Sequence, residues 1–153
     1  PHKLMIEGEW TSLPEDPAVG GQGIPHTISI AASEYLVGTN FALTSYAMLG
    51  HGTGKMIELF GTEKQKAMFL KKLYTGIWGG TMLLTEAQAG SDVGALTTTA
   101  VKNPDGTYSL TGEKIFITNG EHDLAENIIH PVLARVEDGM PGTKGILIFG
   151  RCE

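Results

Sequence analysis

Residues 82–92, Met-Leu-Leu-Thr-Glu-Ala-Gln-Ala-Gly-Ser-Asp, decide how the rest of this chain is read. A short apolar run, Met82 to Leu84, breaks into the pair Thr85 and Glu86, then into a small loop holding Gly90 and closed by Ser91 and Asp92. Residues 114–120, Lys-Ile-Phe-Ile-Thr-Asn-Gly, answer it downstream. Their β-rich composition predicts a strand over Lys114–Thr118, and period-two geometry would put Phe116 and Thr118 on one face of it. A flat ring beside a hydroxyl suits a planar, hydrogen-bonding cofactor, and the loop amides from Thr85 to Ser91 would hold its polar edge.

Outward from this pair the pattern is short strands. Expected strands cover Thr81–Leu84, Ala95–Val101, Thr107–Leu110, Val132–Val136 and Gly145–Phe149, with a strong turn at Asn103-Pro104-Asp105-Gly106. Their short connections predict an antiparallel sheet or barrel. Upstream the period is helical. Pro1–Gly23 reads as loop, anchored by Trp10 and Leu13; its glycines Gly20, Gly21 and Gly23 follow no strand, which favours a plain loop over a phosphate cradle. Pro25 opens a helix whose apolar face is Ile28, Ala31, Ala32, Tyr35 and Leu36. A second helix starts at the N-cap Asn40, runs through Phe41, Tyr46, Leu49 and Met56 to Phe60, and is expected to break near His51 because Gly50, Gly52 and Gly54 interrupt it. The third carries a capping box, Thr62 and Gln65, with Ala67, Leu70 and Tyr74 on its buried face and Gly76 at its end. The expected class is α+β: a partial all-α N-terminal domain over residues 1–77, then an antiparallel, β-barrel-like middle domain over 78–153 that is incomplete at its C-terminal end.

Composition bounds the function. The chain has 153 residues, 41% hydrophobic and 18% charged, with net charge −6 and a pI near 5.3. That balance describes a globular domain and argues against nucleic acid, whose phosphates select a basic face. No apolar run approaches the roughly 20 residues that span a bilayer. The lone Cys152 permits no intrachain disulfide, which fits a reducing, cytoplasmic compartment. The start at Pro1 and the stop after Gly-Ile-Leu-Ile-Phe-Gly-Arg-Cys-Glu read as an excised piece of a longer protein.

Several residues carry chemistry in principle. Ser91 and Asp92 either cap a turn or offer a hydroxyl to a ligand from a β scaffold. Glu86 is a tempting general base, although a loop glutamate more often stabilises a turn. His122, Glu126 and His130 would share one face of a helix and form a metal-ligand set, but Pro131 ends any such helix, so a solvated turn is the favoured reading and no metal is expected. No nucleophile elbow, zinc-spaced Cys/His pair or phosphate loop is present.

Taken together, residues 85–92 (TEAQAGSD) and 112–120 (GEKIFITNG), with the lead-in 60–66 (FGTEKQK), resemble the acyl-CoA dehydrogenase family of flavoproteins. Residues 121–127, after the second motif, resemble the subgroup containing 3-methylmercaptopropionyl-CoA dehydrogenase. The resemblance implies an α-helical N-terminal domain, a β-barrel-like middle domain and a helical C-terminal domain, of which this chain holds part of the first and most of the second. It implies FAD, an acyl-CoA substrate, an electron-transfer flavoprotein or similar acceptor, and a homo-oligomeric full-length protein. By the same resemblance Met82, Leu83, Leu84, Thr85, Gly90, Ser91, Phe116, Ile117 and Thr118 contact the flavin, with Thr118 near N5, and Ser91 also touches the CoA moiety. Two positions depart from the family pattern: Ala87 stands where proline is common and Phe116 where tryptophan is frequent. The family's catalytic glutamate belongs to the C-terminal domain, so no catalytic residue is expected here. A flavin acyl-CoA oxidase or monooxygenase on the same fold, a non-catalytic flavin-binding module, and a small metalloprotein using His122 and His130 stand as alternatives.

Overall fold

The computed structural model describes residues 1–152, with side chains through residue 150, so the Cys152 side chain lies outside the described residues. Two compact units are present, neither continuous in sequence. The first joins Pro1–Thr81 to Asn119–Ile129, and the second joins Met82–Thr118 to His130–Arg151.

The first unit is mainly helical: α1 (His2–Glu7), α2 (His26–Phe60) and α3 (Glu63–Tyr74), followed by β1 (Trp78–Gly80). The N-terminal stretch expected to be all loop thus contains α1 and a 3-10 turn at Pro17–Val19. Leu13 is buried there as expected, but Trp10 is half exposed. Helix α3 has the predicted capping box: the Thr62 hydroxyl accepts from the Gln65 N–H at 3.3 Å, and the Gln65 side chain accepts from the Thr62 N–H at 2.8 Å. Those two bonds satisfy donors that a bare helix start leaves orphaned. Its buried residues are Leu70, Leu73 and Tyr74, whereas Ala67 is exposed.

Helix α2 joins the expected pair of helices across a kink at Asn40, but the break expected near His51 does not form. It continues through His51, and its single non-helical residue is Asn40, at φ −161° and ψ 92°. Asn40 does restart the helix as an N-cap, its Oδ1 accepting from the Leu43 N–H at 2.9 Å. The Thr44 hydroxyl donates to the carbonyls of Asn40 and Leu36, tying the two halves across the kink. Gly50 and Gly54 serve close packing instead of a break, while Gly52 faces open space. A Cβ on Gly50 would stand 3.2 Å from the Trp78 carbonyl oxygen, and one on Gly54 would stand 2.8 Å from the Tyr74 ring. The predicted apolar face of the first half is open: Ile28, Tyr35 and, beyond the kink, Phe41 are exposed.

The remaining strands are β2 (Thr99–Lys102), β3 (Tyr108–Thr111), β4 (Asn127–Val136) and β5 (Ile146–Cys152). In the first unit β1 pairs in parallel with the opening residues of β4, Trp78 opposite Asn127 and Gly80 opposite Ile129. In the second unit β2 is antiparallel to β3 and parallel to the end of β4, with Thr99 opposite Arg135, and β5 also pairs with β4. The expected antiparallel barrel is therefore corrected to a mixed, open set of pairings. The physical reason is connection length: the tight Asn103–Gly106 turn, closed by the Gly106 N–H to Asn103 carbonyl bond of 3.0 Å, returns β3 antiparallel beside β2. Longer segments precede β4, which permits parallel neighbours. Two expected strands do not form. Thr81–Leu84 contributes a single bridge, Leu83 to Val132, and Lys114–Thr118 is irregular. The latter has one described backbone bond to its neighbour, and Phe116 sits at φ +58°, which ends any pleated alternation.

Candidate functional site

All nine residues expected at the cofactor belong to the second unit. The structure brings their two segments together by consecutive bonds. The Ile115 N–H donates to the Thr85 carbonyl at 2.9 Å. Lys114 Nζ donates to the Leu84 carbonyl at 3.1 Å and to Glu86 Oε1 at 2.8 Å. Residues 84, 85 and 86 are thereby held by residues 114 and 115.

Glu86 is the centre of this junction. Its side chain is 2% exposed and that of Lys114 6%. Besides Lys114, it accepts from the Thr97 N–H at 2.6 Å, the Thr97 hydroxyl at 2.9 Å, the Thr98 N–H at 2.9 Å, the Thr98 hydroxyl at 2.5 Å and the Gln88 amide at 2.8 Å. Burial pushes the carboxyl up, but the Lys114 ammonium, the Thr98 hydroxyl and the two threonine amides outweigh it and hold the group well below the usual carboxylate range. A carboxylate so saturated has neither the proton affinity nor the free lone pair of a general base. The turn beyond it closes on itself, Glu86 and Ala89 exchanging N–H to carbonyl bonds at 2.9 and 3.1 Å.

The residues expected at the cofactor contrast with this. Met82, Leu83, Leu84, Thr85 and Ile117 are half-buried; Gly90, Ser91 and Thr118 are exposed. Phe116 is 88% exposed and left-handed at φ +58°. For a bulky residue that backbone conformation is an outlier costing about 1–3 kcal/mol, of a kind that clusters at ligand sites. The shared strand face proposed for Phe116 and Thr118 does not exist; what unites them is their position beyond the Lys114–Ile115 grip. Sequence reading missed Lys114, Thr97 and Thr98, because Glu86 meets them 11 to 28 residues away. The one available signal was a threonine run beside a strand.

The histidine set gains no support. His122 and Glu126 lie in irregular chain and His130 in β4, so the helix that would align them does not form. Among the described residues no group of three or more His, Cys, Asp or Glu could hold a metal ion.

Comparison with known proteins bears on the same segments. Residues 2–77 match the acyl-CoA dehydrogenase N-terminal domain, and residues 81–149 match the acyl-CoA dehydrogenase middle domain. The chain belongs to the acyl-CoA dehydrogenase family. It is 45% identical over 145 residues to 3-methylmercaptopropionyl-CoA dehydrogenase of Ruegeria pomeroyi, covering 95% of this chain and 25% of that relative. It thus spans about a quarter of the length of the curated relatives it matches. Among solved structures it resembles a chain of the electron transferring flavoprotein of Acidaminococcus fermentans, with TM-score 0.87 and 31% identity over 99% of this chain and 39% of that one. It also resembles glutaryl-CoA dehydrogenase from Mycobacterium smegmatis in complex with FADH2, with TM-score 0.77 and 25% identity over 99% of this chain and 37% of that one. The family's middle-domain match contains every residue of the candidate site. No helix of the described residues is long and apolar enough to cross a membrane.

Proposed function

We propose that this chain is the N-terminal and middle portion of an FAD-dependent acyl-CoA dehydrogenase, which removes hydrogens from Cα and Cβ of an acyl-CoA thioester. The observation that carries the flavin reading is Phe116: a large ring on a strained backbone, almost wholly exposed, in a segment stapled to the Thr-Glu motif. Strain without an internal contact is what a planar ligand would compensate. The donor set fits the group as well. Among the described residues the hydroxyls of Thr85, Ser91 and Thr118 have no protein partner, whereas those of Thr97 and Thr98 are spent on Glu86.

Met82, Leu83, Leu84, Thr85, Gly90, Ser91, Phe116, Ile117 and Thr118 would hold FAD, which supplies the hydride acceptor. The half-buried run 82–84 excludes water from one edge, and Thr85 and Thr118 offer hydrogen bonds to polar ring atoms. Ser91 would also reach the CoA moiety. Glu86 does not remove the α proton, because its lone pairs are committed, and the base belongs to the portion of the relatives this chain does not span. An electron-transfer flavoprotein is the fitting acceptor, the full-length protein a homo-oligomer, and the cytoplasm the location that a single cysteine favours.

Titrating the purified chain with FAD tests the site. Flavin fluorescence should be quenched saturably, and Phe116→Ala should abolish most of the effect; a chain that leaves FAD fluorescence untouched overturns the reading. Loaded with FAD, the chain should not bleach with any acyl-CoA, and bleaching would place a base within these 153 residues.

A further inference from the structure

Lys114 is buried more deeply than a lysine tolerates without a reason, and stability alone does not supply one. A buried ion pair can be replaced by apolar residues of similar volume with little loss, since desolvation consumes most of the Coulomb gain. What an apolar pair cannot reproduce is direction. The Lys114 ammonium reaches past Thr85 on both sides, to the Leu84 carbonyl and to Glu86, while the next residue takes the Thr85 carbonyl. Glu86 is itself clamped to Thr97 and Thr98, at the entry to β2. Thr85 is therefore bracketed, with its carbonyl engaged and its hydroxyl uncommitted, and the left-handed Phe116 follows directly from the residue that holds it.

From this arrangement we propose that Glu86 and Lys114 are a positioning pair: they set the spacing between the Thr85 hydroxyl and the Phe116 ring, and so the width of the slot for the flavin. The proposal rests on the flavin reading above for its ligand, but its mechanical half stands apart from it. Neither residue touches the ligand; both act through the backbone of residues 84–86 and 115–116. A slot of fixed width matters because small errors of placement in a pre-organised site cost binding and rate.

Amide exchange and flavin affinity, measured on the whole chain, separate the two halves. Lys114→Met keeps the length and apolar stem but removes the ammonium that donates both bonds. It should speed exchange at the Ile115 N–H by about tenfold or more, while the β2–β3 amides change by no more than about twofold. FAD affinity should fall by about tenfold, with a changed flavin absorption band. Lys114→Cys in a Cys152→Ser background, alkylated with bromoethylamine, restores an ammonium at the same reach and should recover both readings. Glu86→Gln, which keeps the shape but not the charge, serves if Lys114→Met loses protection everywhere, and it should give the same local pattern. Unchanged Ile115 exchange in a folded variant overturns the proposal. So does faster exchange with unaltered FAD affinity, or a failure of the alkylated ammonium to rescue. A wild-type chain that ignores FAD sinks the flavin reading, and the exchange data then decide alone whether the pair sets the spacing.

Discussion

Two neighbouring parts of the second unit treat their polar groups in opposite ways. Around Glu86 everything is spent: two threonine hydroxyls, two amides, one side-chain amide and one ammonium converge on a carboxylate that water does not reach. At Phe116–Thr118, one residue beyond the grip, the ring is exposed, the backbone is strained and the hydroxyl is unclaimed. The first region is saturated and the second is open, which is the division of labour the proposed flavin site would use. A pre-organised site needs both, because groups that face a ligand hold their geometry only when their supports are saturated.

The contrast breaks most visibly at the carboxylate. Glu86→Ala leaves the Lys114 ammonium without its counter-charge, with only the Leu84 carbonyl as acceptor, and strips the Thr97 and Thr98 amides of theirs, and should cost about 3–5 kcal/mol in denaturant unfolding. A loss below about 1 kcal/mol would mean that the network contributes little. Acid probes the same group. Its folded pKa lies below the unfolded carboxyl value of about 4.3, so its stabilisation is complete above that value and fades as pH falls through the folded one. Stability of the wild type should therefore drop more steeply below about pH 4.3 than that of Glu86→Gln, which has no proton to take up; parallel profiles would assign the acid loss to other carboxylates.

Phe116 should respond in the other direction. Phe116→Gly removes the Cβ from a left-handed residue and should raise stability by about 1 kcal/mol while weakening FAD binding. Lower stability would mean that the exposed ring packs on something it leaves in this conformation. The smallest effect is expected at the turn between the two regions. Ala87 follows Glu86 in the 86–89 turn, and its N–H makes no described backbone bond, so Ala87→Pro should stabilise by about 0.4–1 kcal/mol through the unfolded chain, read as a raised melting temperature.

Local grammar was readable wherever a residue's partner lies within a few positions. The Thr62–Gln65 capping box, the Asn40 cap and the Asn103–Gly106 turn all form as spaced. The same reasoning failed where a distant neighbour decides. Gly50 and Gly54 look like breaks in an isolated helix, yet they admit the close approach of Trp78 and Tyr74. Lys114–Thr118 has strand composition, but one backbone bond to Thr85 and a left-handed Phe116 override its propensity. The parallel pairing of β4 with β1 and β2 was invisible for a similar reason, since strand direction depends on how long segments return and not on the strands themselves.

Family, helical order and the pair of motifs were thus legible in the residues alone, because each is carried by contiguous side chains whose chemistry is local. Which glutamate is a base and which a brace was not. Glu86 reads identically in either role until Lys114, 28 positions away, is brought against it and burial turns a solvated charge into a fixed anchor.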